Sequence, residues 1–326
     1  MNKLLLTHAP LARRQYYGTR ALTRLQELVE VVLHEGAAPL DAQGVIGMAR
    51  GVDFIVADRA TAIPALVFES LPGLRAVMRS AIDIRNIDVA AASQAGVLVT
   101  QAEAGFVQSV VELTLGFLVD LSRGITRAAT AYHEGRMPEI KVGRQLGGST
   151  VGLIGYGRIS RALAPVLAQL GMTVLVSDPY AQIDDPRYAK LPMEDLLAKA
   201  DYVICLAIAN EETENLLDAA AFARMKPDAF FINMSRGNLV DEGALAEVMR
   251  ANRIAGAAMD VGRAPDQMPS PELACLPNVI ATPHIGGLTP PASESQAMDT
   301  VRQVEALVKG EVPPGAVNLA SWTRRG

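Results

Sequence analysis

The chain has 326 residues, which suits two domains of ordinary size better than one. Half of the residues are hydrophobic, a fifth are charged, and the formal net charge of −5 gives no electrostatic reason to expect nucleic acid or an anionic membrane as a partner. No apolar run approaches the length of about 18 residues that a membrane span needs, and the run that begins at Lys3 is too short for a signal peptide. We therefore expect a soluble, cytoplasmic protein.

The two cysteines, Cys205 and Cys275, stand in apolar surroundings. They lack the spacing of a disulfide framework or a metal site. We expect both to be buried, reduced thiols, and we expect no bound metal.

The first hundred residues alternate short apolar runs with helical segments. The pattern predicts strands at 3–7, 54–57, 74–78 and 97–99, and an amphipathic helix at 20–33. Alternating strands and helices are typical of a parallel sheet covered by helices.

A long helix is predicted at 107–126, where apolar residues recur at helical spacing. Leu115 and Phe117 add apolar surface on other faces, more than one core-facing stripe requires. Two interpretations stay open, namely a core helix and a helix that contacts a second copy in a homodimer.

The second half of the chain predicts a dinucleotide-binding fold. Strands are predicted at 151–154, 173–177, 202–208, 229–233, 256–260 and 278–281, with helices at 193–199, 215–224 and 242–251 between them. A last helix at 291–309 suggests that the chain returns to the first domain. We predict an α/β protein with two doubly wound parallel sheets: a flavodoxin-like substrate domain (1–101 and 285–326) and an inserted Rossmann-type domain (102–284).

Residues 150–160 read TVGLIGYGRIS and form the clearest binding motif. Gly155 and Gly157 allow a tight turn between a strand and a helix, where backbone N–H groups and the helix dipole attract a pyrophosphate. Ser160 stands where the third glycine of the pattern is usual, and it is small enough for close packing of helix and strand. Asp178 follows the next strand, at the place where an adenine ribose needs an acceptor. No arginine follows it to neutralise a 2′-phosphate, so NAD is expected over NADP.

Two further residues follow predicted strands. Arg236 comes after the run at 229–234, and its planar guanidinium suits a carboxylate. His284 comes after the run at 279–281, between a proline and two glycines, and histidine suits proton transfer near neutral pH. Taken alone, each has a plainer interpretation, a solvated loop charge for the arginine and a structural turn residue for the histidine. The other three histidines are expected to be structural: His8, His34 and His133.

Five motifs in order resemble the D-isomer-specific 2-hydroxyacid dehydrogenase family over nearly the whole chain. They are VGLIGYGRI at 151–159, DPY at 178–180, NMSRGNLVDE at 233–242, MDV at 259–261 and PNVIATPHIGG at 277–287. The resemblance implies NAD-linked interconversion of a D-2-hydroxy acid and a 2-oxo acid, a discontinuous substrate domain and a homodimer formed through a helix like 107–126.

The resemblance also implies roles for single residues. Arg236 would hold the substrate carboxylate and polarise its carbonyl, and His284 would be the acid and base. Substrate contacts would come from the loop that contains Ile82 and Asp83. The cofactor would meet Gly155, Tyr156, Gly157, Arg158, Ile159, Asp178, Thr213, Met234, Ser235, Asp260 and Gly287.

This chain departs from the family pattern at three places. The glutamate that normally pairs with the histidine is replaced by Pro265, and Asp266, one residue on, is the candidate substitute. A solvated loop acid and a histidine held by another group are the alternatives to that pairing. The glycine-rich substrate loop reads SAIDIR at 80–85, and the usual His-x-Pro reads LAI at 206–208.

The sequence therefore predicts an NAD-dependent 2-hydroxyacid dehydrogenase that acts on a small-molecule acid. The alternative is a non-catalytic NAD(H)-binding sensor or scaffold on the same fold, which the missing glutamate favours. Retention of both Arg236 and His284 argues against that alternative, because a sensor needs neither.

Overall fold

The computed structural model describes residues 1–325 and divides them into two compact units. Unit 1 is Met1–Phe106 together with the residues from Leu288 onward, and unit 2 is Val107–Gly287. These boundaries lie a few residues beyond the predicted ones. The chain thus leaves unit 1 once and returns to it once.

Unit 1 contains a five-stranded sheet in the order β2-β1-β3-β4-β5, in which every pairing is parallel. Its strands are β1 (Lys3–Leu6), β2 (Glu30–Leu33), β3 (Phe54–Ala57), β4 (Ala76–Arg79) and β5 (Leu98–Gln101). Its helices before the crossing to unit 2 are α1 (Pro10–Tyr16), α2 (Thr19–Leu28), α3 (Ala42–Met48), α4 (Ala65–Ser70) and α5 (Val89–Gln94).

The predicted helix at 20–33 is wrong in its second half, because α2 ends at Leu28 and β2 follows at Glu30–Leu33. Val29 is already extended, with φ −145° and ψ 162°. The β-branched Val31 and Val32 then pair with β1. Branching at Cβ favours strand over helix. In addition, β1 supplies backbone hydrogen-bond partners, and a local sequence pattern does not show partners that lie far away along the chain.

Unit 2 begins with two helices, α6 (Val107–Arg123) and α7 (Ile125–His133). The predicted single helix 107–126 is therefore interrupted. Gly124 between them has left-handed backbone angles (φ 67°, ψ 38°), which glycine adopts without steric cost.

The rest of unit 2 is a seven-stranded parallel sheet in the order β12-β11-β10-β9-β6-β7-β8. Its strands are β6 (Thr150–Ile154), β7 (Thr173–Ser177), β8 (Tyr188–Lys190), β9 (Tyr202–Cys205), β10 (Phe230–Asn233), β11 (Gly256–Met259) and β12 (Val279–Ala281). Its helices are α8 (Arg158–Gln169), α9 (Met193–Lys199), α10 (Ala219–Arg224), α11 (Glu242–Arg250) and α12 (Pro271–Ala274). The short edge strand β8 is absent from the sequence-based prediction.

Helix α13 (Pro290–Val308) belongs to unit 1, as the predicted return of the chain requires. It packs on the α1 and α2 side of the sheet, where Ala297, Val301, Val304 and Leu307 join a buried apolar cluster. The Tyr17 hydroxyl and Thr300 Oγ1, 2.6 Å apart, share a buried hydrogen bond. Two all-parallel sheets flanked by helices confirm the predicted α/β class.

The two cysteines differ. Cys205 is fully buried at the end of β9, and burial raises the pKa of its thiol to about 12. The expectation of burial is wrong for Cys275, which is exposed. It caps the four-residue α12 at the surface, and its Sγ donates to the carbonyl of Glu272.

Within residues 1–325, no helix combines the length and the apolar character needed to cross a membrane.

Candidate active site

The candidate residues of unit 2 gather at one edge of its sheet. All seven strands are parallel, so the residues that follow them lie at the same carboxyl edge, where ligands of open α/β sheets bind. Gly155 follows β6, Asp178 follows β7, Arg236 follows β10, Asp260 follows β11 and His284 follows β12. The order β9-β6-β7 places the reversal of strand order, the crevice for a nucleotide, beside β6.

The turn after β6 leaves no room for a side chain at Gly155. Its φ is +90°, and a Cβ there would lie 2.6 Å from the Cα of Ala207 in the loop after β9. Ser160 is buried on α8, and its Oγ donates to the Gly155 carbonyl at 2.6 Å. The small residue at position 160 thus ties α8 to the strand, as its place in the motif predicts.

Gly157 is the N-cap of α8, and Arg158 and Ile159 are the first residues of that 12-residue helix. A Cβ built on Gly157 meets no atom within 4 Å. Open space at the positive end of a helix is a fitting place for a pyrophosphate.

Asp178 connects the end of β7 to the turn after β6. Its carboxylate accepts N–H groups from Tyr156 (2.7 Å), Tyr180 (2.9 Å) and Ala181 (2.8 Å). Burial raises the pKa of this carboxyl, but the three N–H groups outweigh it, and the pKa lies below its ordinary value. The residue is therefore ionised at neutral pH, and its three N–H partners hold it at the edge of the nucleotide crevice.

Thr213 shapes the loop after β9. Its Oγ1 donates to the carbonyl of Ile208 at 2.7 Å, and its N–H donates to the Asn210 side chain in a reciprocal cap. The structure thus shows that Thr213 stabilises the loop through these hydrogen bonds. Its contact with a cofactor stays a prediction.

The segment that carries Arg236 is held by Asn233, a fully buried amide at the end of β10. Asn233 Nδ2 donates to the Arg236 carbonyl (3.0 Å), and its Oδ1 accepts the Ser235 N–H (3.1 Å). The Ser235 hydroxyl donates to the Ala207 carbonyl, and Met234 is buried beside it. The half-buried Arg236 therefore projects from a turn whose backbone is fixed on both sides, and its Nη1 donates to the Ser235 carbonyl at 2.7 Å.

His284 has left-handed backbone, with φ 55°. A residue other than glycine rarely adopts this conformation, and it persists where surrounding contacts impose it. Asp260 supplies those contacts. Its buried carboxylate accepts the hydroxyl of Thr282 (2.6 Å) and the N–H groups of Ile285 (2.8 Å) and Gly286 (2.8 Å), on both sides of the histidine.

The ring of His284 meets Asp266, but through the main chain. Nδ1 lies 3.0 Å from the Asp266 carbonyl oxygen. The sequence names the Asp266 carboxylate as a candidate partner of the ring, and the acceptor found at Nδ1 is the backbone carbonyl of the same residue. A pairing of the ring with the carboxylate stays a prediction. Because a carbonyl only accepts, Nδ1 carries the hydrogen and Nε2 is the nitrogen that can exchange a proton.

The arginine turn and the loop after β11 touch at two glycines. A Cβ on Gly237 would lie 2.2 Å from the backbone of Gly262, and a Cβ on Gly262 would lie 2.4 Å from the Pro269 Cα. The two segments therefore pack backbone to backbone. Gly287, the last residue of unit 2, follows the buried Gly286.

Ile82 and Asp83 belong to unit 1, in the loop that follows β4. Ile82 is partly exposed, and Asp83 accepts hydrogen bonds from the Arg85 side chain (2.6 Å to Nη2) and from its N–H (3.1 Å). Their contact with a substrate stays a prediction.

Sequence reasoning missed three residues that hold segments of the site or of the loop after β11. Asn233 holds the segment of Arg236, Thr282 donates to Asp260, and Arg263 donates to the Val240 and Asn238 carbonyls. A buried polar residue at the end of an apolar strand was the available signal for Asn233. Nothing in the sequence signals the hydrogen bonds of Arg263, since they run to segments distant along the chain.

Comparisons with known proteins identify the family of the chain. Residues 115–286 match the D-isomer specific 2-hydroxyacid dehydrogenase, NAD binding domain. A glyoxylate reductase of Thermofilum pendens is 30% identical over 323 residues, covering 94% of this chain and 95% of the reductase. A D-3-phosphoglycerate dehydrogenase of Mycobacterium tuberculosis is 34% identical over 273 residues, which is 82% of this chain but 51% of the dehydrogenase, so the chain spans about half the length of that relative.

Among solved structures, the TT0316 protein from Thermus thermophilus is 30% identical, with a TM-score of 0.87, and the match covers 97% of this chain and 99% of that one. Sequence and fold thus agree over nearly the whole length. The chain belongs to the D-isomer-specific 2-hydroxyacid dehydrogenase family.

Proposed function

We propose that the protein is an NAD-dependent oxidoreductase that interconverts a D-2-hydroxy acid and a 2-oxo acid. The observation that carries the proposal is the tethered His284 ring, whose Nδ1 is held by a carbonyl so that Nε2 is left for proton transfer. Arg236 follows β10 at the same edge of the same sheet, with a guanidinium suited to a carboxylate. A proton donor and an anion-binding group are what reduction of a 2-oxo acid requires.

The residues of unit 2 also fit a dinucleotide. The open N-terminus of α8 suits the pyrophosphate, and the ionised Asp178 suits the ribose hydroxyls. We assign Gly155, Tyr156, Gly157, Arg158 and Ile159 to the phosphate end, and Met234, Ser235, Asp260 and Gly287 to the nicotinamide end. When bound, the cofactor supplies or accepts the hydride at the second carbon of the substrate.

In the reducing direction, Arg236 holds the substrate carboxylate and draws electron density from the neighbouring carbonyl. The Nε2–H bond of His284 breaks and its proton goes to the carbonyl oxygen while a C–H bond forms at the second carbon. The products are a 2-hydroxy acid, the oxidised cofactor and a neutral imidazole that keeps its Nδ1–H. In the oxidising direction the same Nε2 accepts the hydroxyl proton.

The proposal is tested by a screen of small 2-oxo acids with NADH, in which loss of NADH absorbance is followed in the wild type and in His284→Ala. We expect turnover of at least one acid by the wild type and loss of most of it in the variant. NADH binding by fluorescence without turnover of any acid would instead favour the sensor or scaffold.

NAD is proposed over NADP because the Asp178 carboxylate is ionised and would repel a 2′-phosphate. The charge of Lys190 helps to lower the pKa of Asp178, and the Lys190 Nζ donates to the Ala181 carbonyl at 2.7 Å. Asp178→Ala should narrow the ratio of kcat/KM for NADH to that for NADPH. Equal or better turnover with NADPH in the wild type would contradict the proposal.

A homodimer is also proposed, because apolar side chains are exposed in and after α7. Ile140 is 98% exposed and Met137 82% exposed. Ile125 and Tyr132 are more than half exposed on α7 itself. Light scattering coupled to size exclusion should give twice the mass of one chain, and Ile140→Asp should lower that mass. A wild-type chain that elutes with the mass of one copy would contradict it.

A further inference from the structure

The loop between β11 and β12 presents a main-chain oxygen to His284. Asp266 and Gln267 both have left-handed backbone, with φ 61° and 58°. The Gly262 N–H donates to the Gln267 carbonyl (2.8 Å), and the Ala264 N–H donates to the Met268 carbonyl (3.0 Å). These two bonds close residues 262–268 into a compact loop, and the consecutive left-handed residues leave the Asp266 carbonyl directed at the imidazole.

Arg263 attaches that loop to the body of unit 2. Its N–H donates to Glu242 Oε1 at 2.8 Å, and its Nε donates to the Val240 carbonyl at 3.0 Å. Its Nη2 donates to the Asn238 carbonyl (2.9 Å) and to Asn215 Oδ1 (2.5 Å).

The remaining nitrogen, Nη1, lies 2.8 Å from Glu214 Oε1. Hydrogen bonds from Asn238 and Arg263 lower the pKa of Glu214. The side chain therefore connects the loop to two other segments, 214–215 and 238–240, through every nitrogen of its guanidinium, and the backbone N–H adds the bond to Glu242.

We propose that Arg263 is a positioning residue for His284, acting through the loop 262–268. By fixing the loop three residues before Asp266, it holds the Asp266 carbonyl against Nδ1 and so sets both the ring orientation and the tautomer. The acceptor at Nδ1 is the neutral main-chain carbonyl of Asp266. This inference rests on the proposed function for its kinetic consequence, but not for its structural part.

A neutral acceptor has a different effect on the ring from that of an anion. A carbonyl accepts the Nδ1–H whether Nε2 is protonated or not, so the ring keeps one orientation through a catalytic cycle. An anion would in addition favour the imidazolium. Orientation of the ring is therefore the main contribution of the loop, and this orientation should be lost when the loop is loosened.

The first arm of the test measures the tautomer directly. Ring nitrogen chemical shifts of the ¹⁵N-histidine-labelled protein are recorded with NADH bound, and His284 is assigned by the loss of its signals in His284→Ala. We expect the Nδ1–H tautomer in the wild type and a mixture of tautomers in Arg263→Met. An unchanged tautomer in Arg263→Met would overturn the proposal, whether or not any 2-oxo acid is turned over.

The second arm is kinetic. In Arg263→Met, kcat for 2-oxo acid reduction should fall on the order of ten- to hundredfold, the size of loss that a misplaced reacting group brings. The dissociation constant of NADH should change less than about threefold. Arg263→Lys should recover part of kcat, and Arg253→Met, which removes an exposed arginine of the same unit, should behave as the wild type. A fall in NADH affinity equal to the fall in kcat would mean a general loss of structure and would overturn the positioning role.

Asn215→Gly is the milder variant if Arg263→Met does not fold. It removes one acceptor of Nη2 while it keeps the left-handed backbone that Asn215 already has (φ 54°). The same direction of change in tautomer and kcat, at smaller size, is expected.

Asp266→Asn separates the effect of the Asp266 carboxylate from that of the Asp266 main-chain carbonyl. It removes the carboxylate charge and keeps the carbonyl, so the pH at which kcat/KM for reduction falls to half its maximum should stay within about 0.3 units of the wild type, a small part of the shift of one unit or more that loss of a paired charge causes. A shift of a full unit toward lower pH would show that the carboxylate, not the carbonyl, governs the ring.

Discussion

His8 and His284 each lie just beyond the end of a parallel strand, one in unit 1 after β1 and the other in unit 2 after β12. His8 is 1% exposed, its Nδ1 lacks a hydrogen-bond partner, and its Nε2 lies 3.4 Å from Ser80 Oγ. Burial, with smaller contributions from Arg79 and Arg13, lowers the pKa of His8 to about 3. His284 is partly exposed, and its Nδ1 is bound to a carbonyl. The same residue type at the same place in two related sheets is thus a neutral core group in one and a tethered ring in the other.

The arginines differ in the same way. Arg79 ends β4 and is 7% exposed, and burial lowers its pKa to about 10 although Asp58 and Asp83 oppose the shift. Arg236 follows β10 on a turn that Asn233 holds, and it is half-buried. Position at the carboxyl edge therefore does not by itself fix the environment of a side chain. The backbone that carries the side chain and the exposure of the side chain to water determine that environment.

The largest effect should come from His284→Ala. Removal of a general acid typically costs two to four orders of magnitude, so kcat for 2-oxo acid reduction should fall by about 10² to 10⁴. The exposed His133 offers the matched control, and His133→Ala should keep wild-type rates in the same assay. If His284→Ala retains more than about a tenth of wild-type kcat, the distinction between the two edge histidines is not a catalytic one.

Arg236→Lys should have the next largest effect. Lysine keeps the charge but loses the planar pair of donors. The activation free energy that corresponds to kcat/KM should therefore rise by about 2–4 kcal/mol. Steady-state kinetics on the best 2-oxo acid measure this, with Arg224→Lys at an exposed position of α10 as the control. Near-native kinetics on every 2-oxo acid tested would return Arg236 to an ordinary loop charge.

Asp260→Asn tests what holds His284 in its left-handed conformation. The amide places an N–H₂ group where a carboxylate oxygen accepted a hydrogen bond, so at least one buried donor loses its acceptor. Loss of such a bond costs about 1–3 kcal/mol in the free energy of unfolding. Urea unfolding of unit 2, followed together with kcat, should show both quantities falling, and a variant as stable and as active as the wild type would contradict this account.

His8 should make unit 1 sensitive to acid. Because its folded pKa is depressed to about 3 from the ordinary 6.5, its contribution to stability is complete above pH 6.5 and is lost as the pH falls toward 3. Between pH 6.5 and pH 5 the free energy of unfolding should fall by about 2 kcal/mol. His8→Phe should flatten this dependence in urea melts at several pH values, whereas His133→Ala should not. An equal slope in His8→Phe and the wild type would mean that His8 is not the group responsible.

Much of the fold could be predicted because periodic apolar patterns report burial on one face of a strand or helix. The strand at Phe54–Ala57 and the helix at Met193–Lys199 were predicted at their observed bounds. Strands β2 and β8, each at one edge of its sheet, were missed, whereas β5 and β12 at the opposite edges were predicted. Edge position alone therefore does not hide a strand, and β2 was missed because its apolar residues continue the helical pattern of α2.

The atom that holds His284 could not be predicted. Motifs record side chains, so the sequence pointed to a carboxylate, whereas the bond uses a carbonyl oxygen that every residue has. The left-handed angles of Asp266, Gln267 and His284 come from hydrogen bonds that join segments distant along the chain. Their residue types carry no signal of those angles beyond a mild tolerance in aspartate and histidine.

The contact between Gly237 and Gly262 limits how this protein could be re-engineered. A Cβ on Gly237 would lie 2.2 Å from the Gly262 backbone, and a Cβ on Gly262 would lie 2.4 Å from the Pro269 Cα. Neither position can therefore gain even a methyl group without a shift of the loop that carries the Asp266 carbonyl. Saturation libraries aimed at new substrates would therefore lose most members at these two positions. Diversity is better directed to more exposed positions such as Ile208, which is 80% exposed, and Ile82, which is 37% exposed.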